Sequence, residues 1–339
     1  MTLATMRVMV TGGAGYVGSH FVRALRRAGH TPVVVDDLSS GHRDAVPEGV
    51  AFRQGSVEND RFVRDVLDEQ QVDAVAHFAA RIQVGESVRD PRRYYRTNLL
   101  GTIALVEAML DRGVRTIVAT SSAAVYGERA RYAQYTFGTI APCREDEGVV
   151  PDSPYGETKL AVERALAAYH RAYGLRYAVL RCFNIAGAET GLAERHDPET
   201  HLIPLVLAAA ESDDPPSFVI LGGDYPTPDG TAVRDYVHVA EVAGAHLMAI
   251  NHLRTHGASG AFNVGSGRGY SVRDVVAVCD SVTGKTTNAT CGPRREGDPP
   301  YLVADVQRAR DGLHWEATVP LQRIVRDAWE SRRAAKEGA

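Results

Sequence analysis

The chain has 339 residues, 44% of them hydrophobic and 24% charged, with a formal net charge of -4. Those proportions describe a globular chain long enough for a sizeable core, and they exclude disorder, collagen-like repeats and coiled coil. Without a basic excess no nucleic-acid partner is expected, and no apolar run reaches the roughly 18 residues of a membrane span, so none is expected at a membrane either.

The first residues, Met1 to Arg7, lack a charged-then-apolar leader pattern, and Cys143, Cys182, Cys279 and Cys291 form no CxxC pair. Both features point to a reduced, cytoplasmic chain without a disulfide frame or zinc site. In chain order, short apolar runs predict buried strands over Arg7–Thr11, Pro32–Asp36, Val50–Gln54, Asp73–Phe78, Thr116–Ser121 and Arg176–Phe183. Helical patterns lie between them; the first puts Val17, Phe21, Leu25 and Ala28 on one face, with Gly29 as its C-terminal cap. Alternating strands and helices imply an α/β fold with a doubly wound parallel sheet, whose ligands bind beyond the carboxyl ends of the strands.

From about Gly187 the texture changes to a polar, irregular stretch over Gly191–Pro204, followed by Pro-, Gly- and Asp-rich segments at Asp213–Pro216 and Gly222–Gly230. Helices are expected over Ala240–Leu253, Ser271–Val282 and Leu321–Glu330, and a strand over Gly260–Val264. The expected division is a dinucleotide-binding domain over 1–186 and about 238–266, with a smaller C-terminal α/β substrate domain over about 187–237 and 267–339.

Directly after the first strand comes Thr11-Gly12-Gly13-Ala14-Gly15-Tyr16-Val17-Gly18-Ser19-His20. Gly12, Gly15 and Gly18 fit a loop that turns tightly, brings backbone against a pyrophosphate and opens a helix whose N-terminus attracts the anion. No Gly-Lys-Ser/Thr ending follows, so a nucleoside triphosphate loop does not fit. The second strand ends at Asp36, where a carboxylate accepts from an adenosine ribose and repels a 2′-phosphate, favouring NAD over NADP.

Two further features close later strands. The fifth ends in Thr120-Ser121-Ser122-Ala123-Ala124-Val125-Tyr126-Gly127; then Ser153-Pro154-Tyr155-Gly156-Glu157-Thr158-Lys159 opens a helix, with Ser153 as N-cap and Pro154 at its first position. The chain has only three lysines (Lys159, Lys285, Lys336), and of its 14 tyrosines only Tyr155 has Lys four residues later, on the same helix face. A free Tyr has a pKa of about 10, so only about one in a thousand is phenolate at pH 7. An ammonium at about 4 Å, at an effective dielectric near 20, supplies the roughly 4 kcal/mol that lowers this pKa by about three units. Tyr155 is thus expected to be a base poised by Lys159, with Ser122 hydrogen-bonding the reacting oxygen. No metal-ligand cluster stands out: the histidines are scattered, and His42, His196 and His246 read as surface or core residues.

These segments resemble the extended short-chain dehydrogenase/reductase superfamily, and within it the UDP-glucose 4-epimerases (UDP-galactose 4-epimerases). The similarity continues through His77-Phe78-Ala79-Ala80, Val84–Val88, Tyr94-Tyr95-x-x-Asn98, Arg181-Cys182-Phe183-Asn184, Glu199–Pro204, Gly223–Thr227, Arg234–His238, Phe262–Gly265 and Pro293–Asp298. The resemblance implies a Rossmann sheet, a retained NAD, a UDP-sugar substrate, a homodimer, and 4-epimerisation of UDP-hexoses through a transient 4-keto sugar. By it, Gly12, Gly15, Tyr16, Val17, Gly18, Asp36, Asp37, Leu38, Ser56, Val57, Phe78, Ala79, Ala80, Asn98, Ser121, Tyr155, Lys159 and Phe183 map onto NAD contacts. Ser122, Tyr155, Asn184, His201, Leu202, Val219, Leu221, Arg234, Tyr236, Arg295 and Asp298 map onto UDP-sugar contacts.

Several positions depart from the family pattern. Ser56 replaces an Asp, Ile82 replaces a Lys found in some relatives, Leu302 stands where some carry a bulky Tyr against N-acetyl sugars, and the segment 128–151 is longer than usual. Epimerases of UDP-N-acetylhexosamines or UDP-pentoses are the nearest alternatives. A dehydratase or decarboxylase is disfavoured because Ala123 and Ala124 occupy the positions of a dehydratase's Asp-Glu pair. A non-catalytic NAD sensor would not need Tyr155 and Lys159.

Overall fold

The computed structural model describes residues 4–127, 141–212, 218–256, 259–295 and 297–337. Its strands are β1 (Arg7–Thr11), β2 (Thr31–Asp36), β3 (Ala51–Gln54), β4 (Ala74–His77), β5 (Thr116–Ser122), β6 (Arg176–Cys182), β7 (Asn184–Ala186), β8 (Phe218–Leu221), β9 (Val233–His238), β10 (Gly260–Val264), β11 (Gly269–Ser271), β12 (Ala289–Gly292) and β13 (Tyr301–Leu302). Seven of them form a parallel sheet in the order β10-β6-β5-β4-β1-β2-β3. This is the expected doubly wound Rossmann arrangement. The chain winds outward from β1 to β3 and then restarts at β4 on the other side of β1, opening a crevice beyond the ends of β1 and β4.

Alternation along each strand explains why helices cover both faces. Val8, Val10, Val34, Val118 and Leu180 enter one core with Phe21 and Leu25 of the Tyr16–Arg27 helix and Val242, Ile250 and Leu253 of the Val239–His256 helix. Met9, Val33, Val35, Ile117 and Val179 enter the other, against Val63 and Leu67 of Asp60–Gln70, Leu105 and Met109 of Gly101–Asp111, and Leu166 of Pro154–Tyr173. A strand buried on both faces reads as a continuous apolar run, which is why β1, β2, β4, β5 and β6 were legible, while the edge strand β3 is only half-buried.

A second sheet is organised by β9. Its first half pairs with β11 (antiparallel) and β13 (parallel), and its second half with β7 (parallel). A separate parallel pair joins β8 to β12. Ile203, Val206, Leu207, Val275, Leu321 and Ile324 form the core beside these strands.

The strand expected over Arg176–Phe183 stops at Cys182: Phe183 N–H donates to Val264 O, and the chain leaves the large sheet to become β7. Strands β7 to β9 and β11 to β13 were not anticipated, because each has two to six residues and its partner is distant in sequence. Arg129, Arg131, Tyr132, Tyr135 and Phe137 of the long segment, and Asp213–Pro216, lie outside the described residues. No helix among the described residues is long and apolar enough to cross a membrane.

Candidate active site

The glycine-rich turn lies at the β1/β4 crevice. Gly12 has φ +70°, and a Cβ there would meet Ala79 N at 2.6 Å; a Cβ on Gly18 would sit 2.1 Å from Gly12 O. Only hydrogen fits between this turn, the Phe78–Ala79 backbone after β4 and the first helical turn. Gly15 caps the Tyr16–Arg27 helix without a side-chain bond, leaving the first-turn N–H groups, Tyr16 and Val17 among them, to a ligand. At the end of β2, Asp36 accepts from Ala14 N (2.9 Å) and Leu38 N (2.8 Å). Burial holds its pKa above the ordinary value, while those N–H groups pull it down. Its two oxygens retain lone pairs for a pair of ribose hydroxyls. Leu38 adopts φ +60°, and Asp37 is exposed, accepting from Ser39 N at 2.9 Å. Backbone cradle, helix N-terminus and ribose acceptor together fit a dinucleotide.

The remaining expected cofactor residues fall into two groups. Ser56, Val57, Phe78, Ala79 and Ala80 follow β3 and β4 on the same edge, with Ser56 Oγ accepting from Glu58 N at 3.2 Å. Asn98 and Ser121 also bond within the chain. Asn98 Nδ2 donates to Arg81 O and Thr158 Oγ1 (both 3.1 Å) and its Oδ1 accepts from Arg81 N (2.8 Å), so it holds the loop after β4. Ser121 Oγ donates to Glu163 Oε1 at 2.5 Å. Phe183 is buried beside Tyr126.

Tyr155 and Lys159 sit on the buried face of the Pro154–Tyr173 helix. Ser153 Oγ accepts from Gly156 N (3.2 Å), Pro154 occupies the first position, and Gly174 ends the helix at φ +69°. Ser87 Oγ accepts from Tyr155 N at 3.1 Å, fixing the helix entrance. Ser122 at the end of β5 caps a short turn, its Oγ accepting from Ala124 N at 3.2 Å, and its hydroxyl favours the charged form of the neighbouring Tyr155 phenol.

The electrostatics differ from expectation. Burial pushes Tyr155 up to about 12, outweighing the Ser122 hydrogen bond that lowers it. Lys159 Nζ lies 5.9 Å from the Tyr155 ring centroid and donates to Thr120 O at 2.8 Å, so its charge is spent on a carbonyl rather than on the phenol. Burial also lowers Lys159 itself to about 8, against the opposing pull of Cys182 and Glu163. The protein's own groups therefore do not make Tyr155 a phenolate at neutral pH.

Beneath this pair lies a buried ion pair that the sequence pattern does not announce. Glu163 continues the stripe of Tyr155 and Lys159 at i+4, and its carboxylate accepts from Arg181 Nη2 (2.7 Å) and Nε (3.1 and 3.2 Å) in a pocket where both side chains are under a tenth exposed. Arg181 Nη1 reaches Tyr126 OH (3.1 Å), which donates to Asn263 Oδ1 (2.6 Å). Three polar residues at i, i+4, i+8 on an otherwise apolar face were the available signal.

Of the expected sugar-nucleotide residues, Asn184, Arg234 and Tyr236 lie on the second sheet, and Val219 and Leu221 on the separate β8–β12 pair. Arg234 on β9 pairs through Nη2 with Asp298 Oδ1 at 2.7 Å and lies in register with Leu302 on β13. Tyr236 on β9 is buried and opposite Asn184 on β7. Val219 and Leu221 are the exposed alternates of β8, and Arg295 is exposed. His201 precedes Leu202, the first residue of the Leu202–Glu211 helix. Burial opposes charge on His201, yet the Glu194 and Glu199 carboxylates push it up to about 10. His246 is a core residue, bonded to Val242 O and Thr120 Oγ1.

A family model described as NAD dependent epimerase/dehydratase family matches residues 8–265. The chain is 43% identical over 327 residues to the UDP-glucose 4-epimerase of Halalkalibacterium halodurans, covering 96% of this chain and 95% of that one. It is 41% identical to the UDP-glucose 4-epimerase from Brucella ovis in complex with NAD, with a TM-score of 0.88 and coverage of 96% and 98%. The UDP-glucose-4-epimerase from Stenotrophomonas maltophila with bound NAD and formylated UDP-arabinopyranose is similar at 36% identity and a TM-score of 0.92, with coverage of 98% and 100%. With the glycine cradle, the buried Tyr155/Lys159 pair and a match of this extent, the chain belongs to the NAD dependent epimerase/dehydratase family.

Proposed function

We propose that this protein interconverts UDP-glucose and UDP-galactose, an isomerase working at C4 through a transient 4-keto sugar with NAD retained throughout. The observation that carries this reading is the buried Tyr155, followed on the same helix face by Lys159, beside Ser122 at the β5 end of a dinucleotide crevice. Gly12, Gly15, Gly18 and Asp36 hold the dinucleotide. Bound NAD supplies a reversible hydride acceptor and a positive charge beside Tyr155. Tyr155 takes the proton of the sugar 4-hydroxyl and returns it, Ser122 orients that oxygen, and Lys159 turns from Thr120 O to the ribose hydroxyls. Arg234 and Arg295 are suited to the diphosphate by charge-assisted bidentate bonds.

The division into an NAD-binding domain (1–186 and about 238–266) and a UDP-sugar domain (about 187–237 and 267–339) is part of the same reading. So is a cytoplasmic setting in galactose metabolism, consistent with four cysteines that form no disulfide. A homodimer is supported by the exposed apolar side chains of Val88, Tyr95, Leu100 and Tyr173 near the Gly101–Asp111 and Pro154–Tyr173 helices. Sedimentation at the 36.7 kDa monomer mass would remove that element.

Leu302 favours a second substrate class. It is half-buried on β13 and packs against the apolar cluster that contains Phe183 and Tyr126, and its side chain is smaller than the tyrosine some relatives carry, which suits UDP-N-acetylhexosamines. Incubation with a panel of UDP-sugars, without added electron donor, tests the whole reading. The expected result is a UDP-glucose/UDP-galactose equilibrium; no turnover of either sugar refutes it.

A further inference from the structure

Four side chains from one irregular stretch, residues 194–201, converge in the loop before the Leu202–Glu211 helix. Glu194 Oε1 lies 3.1 Å from His196 Nδ1 and 2.9 Å from His201 Nδ1. Glu199 Oε1 lies 2.8 Å from His201 Nδ1, and its Oε2 lies 3.9 Å from His196 Nδ1. One ligand atom from each residue falls within 4.8 Å of all the others. Atoms bound to one tetrahedral ion at about 2.0–2.1 Å stand about 3.3 Å apart, so this spread brackets the set a four-coordinate centre needs.

The surroundings suit a cation. Glu194 is 8% exposed, Glu199 and His196 19%, and His201 42%, so the two carboxylates are largely shielded and the site opens to solvent on the His201 side. The nearest guanidinium in sequence, Arg195, is turned away to Asp44 (2.6 and 2.9 Å), and Arg23 and Arg27 are engaged at Thr190, Gly191 and Glu189. Glu199 Oε1 is oriented by Thr200 N (2.7 Å) and His201 N (2.8 Å), and the Tyr16 ring meets His196 edge-on at 6.0 Å. Such outer contacts hold metal ligands in place. Two imidazoles disfavour magnesium and calcium, while mixed nitrogen and carboxylate donors suit zinc and its first-row neighbours.

We propose that Glu194, His196, Glu199 and His201 form a closed structural site for one divalent transition ion of the zinc class. Its ion cross-links the 194–201 loop to itself directly before the helix begun by Leu202, and holds His196 against the Tyr16 ring. Ligation through Nδ1 leaves His201 Nε2 as an N–H donor. With all four positions filled by protein, the ion has no open position for chemistry.

The test is metal analysis of the full-length protein, purified and exchanged into metal-free buffer. The expected result is about one Zn²⁺ per chain. Stripping with a strong chelator and adding Co²⁺ should give the intense visible bands of a four-coordinate centre, and adding Zn²⁺ should raise the unfolding midpoint by about 4 °C or more. His196→Gln and Glu194→Gln should each lose the stoichiometric metal and the thermal response to Zn²⁺. Wild-type protein that takes up neither ion stoichiometrically, or a His196→Gln variant that holds Zn²⁺ as wild type does, overturns the site. Neither readout depends on epimerase activity.

Discussion

Replacing Glu163 with Gln removes one charge and almost no volume from beneath the Tyr155/Lys159 pair. The Arg181 guanidinium then stays in a pocket where both side chains are under a tenth exposed, without the carboxylate that accepts its bonds at 2.7, 3.1 and 3.2 Å. Breaking a buried pair from one side costs about 3–5 kcal/mol. For a chain of 339 residues, an unfolding entropy of about 2.1 cal/mol/K per residue gives about 0.7 kcal/mol/K, so the melting midpoint should fall by about 4–7 °C. The double change Glu163→Leu with Arg181→Met should recover most of that loss, because neither charge remains buried alone. A second effect separates electrostatics from packing. Glu163 raises the Lys159 pKa against the burial that lowers it to about 8. Turnover of the wild type should therefore decline as pH rises through about 8 and Lys159 loses its proton. Folding itself gains from that deprotonation, since the folded pKa lies below the unfolded one. In Glu163→Gln the alkaline limb should move to lower pH. Circular dichroism melts and kcat–pH profiles read the two effects. A midpoint shift under about 1 °C, or an alkaline limb that stays in place, refutes the reasoning.

Tyr155→Phe should retain bound NAD and UDP-sugar affinity while losing about 10²–10⁴-fold in turnover; a variant keeping more than a tenth of wild-type activity contradicts the proton-transfer role. Gly18→Ala places a methyl 2.1 Å from Gly12 O, so the purified variant should carry no nucleotide, measured by absorbance after acid release. Full NAD content there would contradict the cradle. Wild-type protein should turn over UDP-N-acetylglucosamine, and Leu302→Tyr should suppress this with little effect on UDP-glucose; equal loss for both sugars would show that Leu302 does not set the discrimination.

Local chemistry was legible in the chain itself. A turn that must approach a phosphate needs glycines at fixed offsets, so Gly12, Gly15 and Gly18 declare themselves, as does Asp36 at the end of a strand of valines. Helix periodicity puts Tyr155 and Lys159 on one face whatever surrounds them, and Ser153-Pro154 marks where that helix begins. Strands buried on both faces appear as apolar runs, which made the middle of the large sheet readable at β1, β2, β4, β5 and β6.

Other properties depend on who meets whom across long separations, and only the tertiary structure decided those. β9 acquires partners from 184–186, 269–271 and 301–302, which no local pattern encodes. Glu163 meets Arg181 because the helix packs on β6, and Lys159 turns to Thr120 O because β5 ends beneath it. Burial, not spacing, sets the Tyr155 pKa, since desolvation depends on everything packed around the phenol rather than on the residue four positions away. Glu194, His196, Glu199 and His201 are close in sequence, but their convergence comes from the path of an irregular loop, where no helical or strand period tells side chains which way to point.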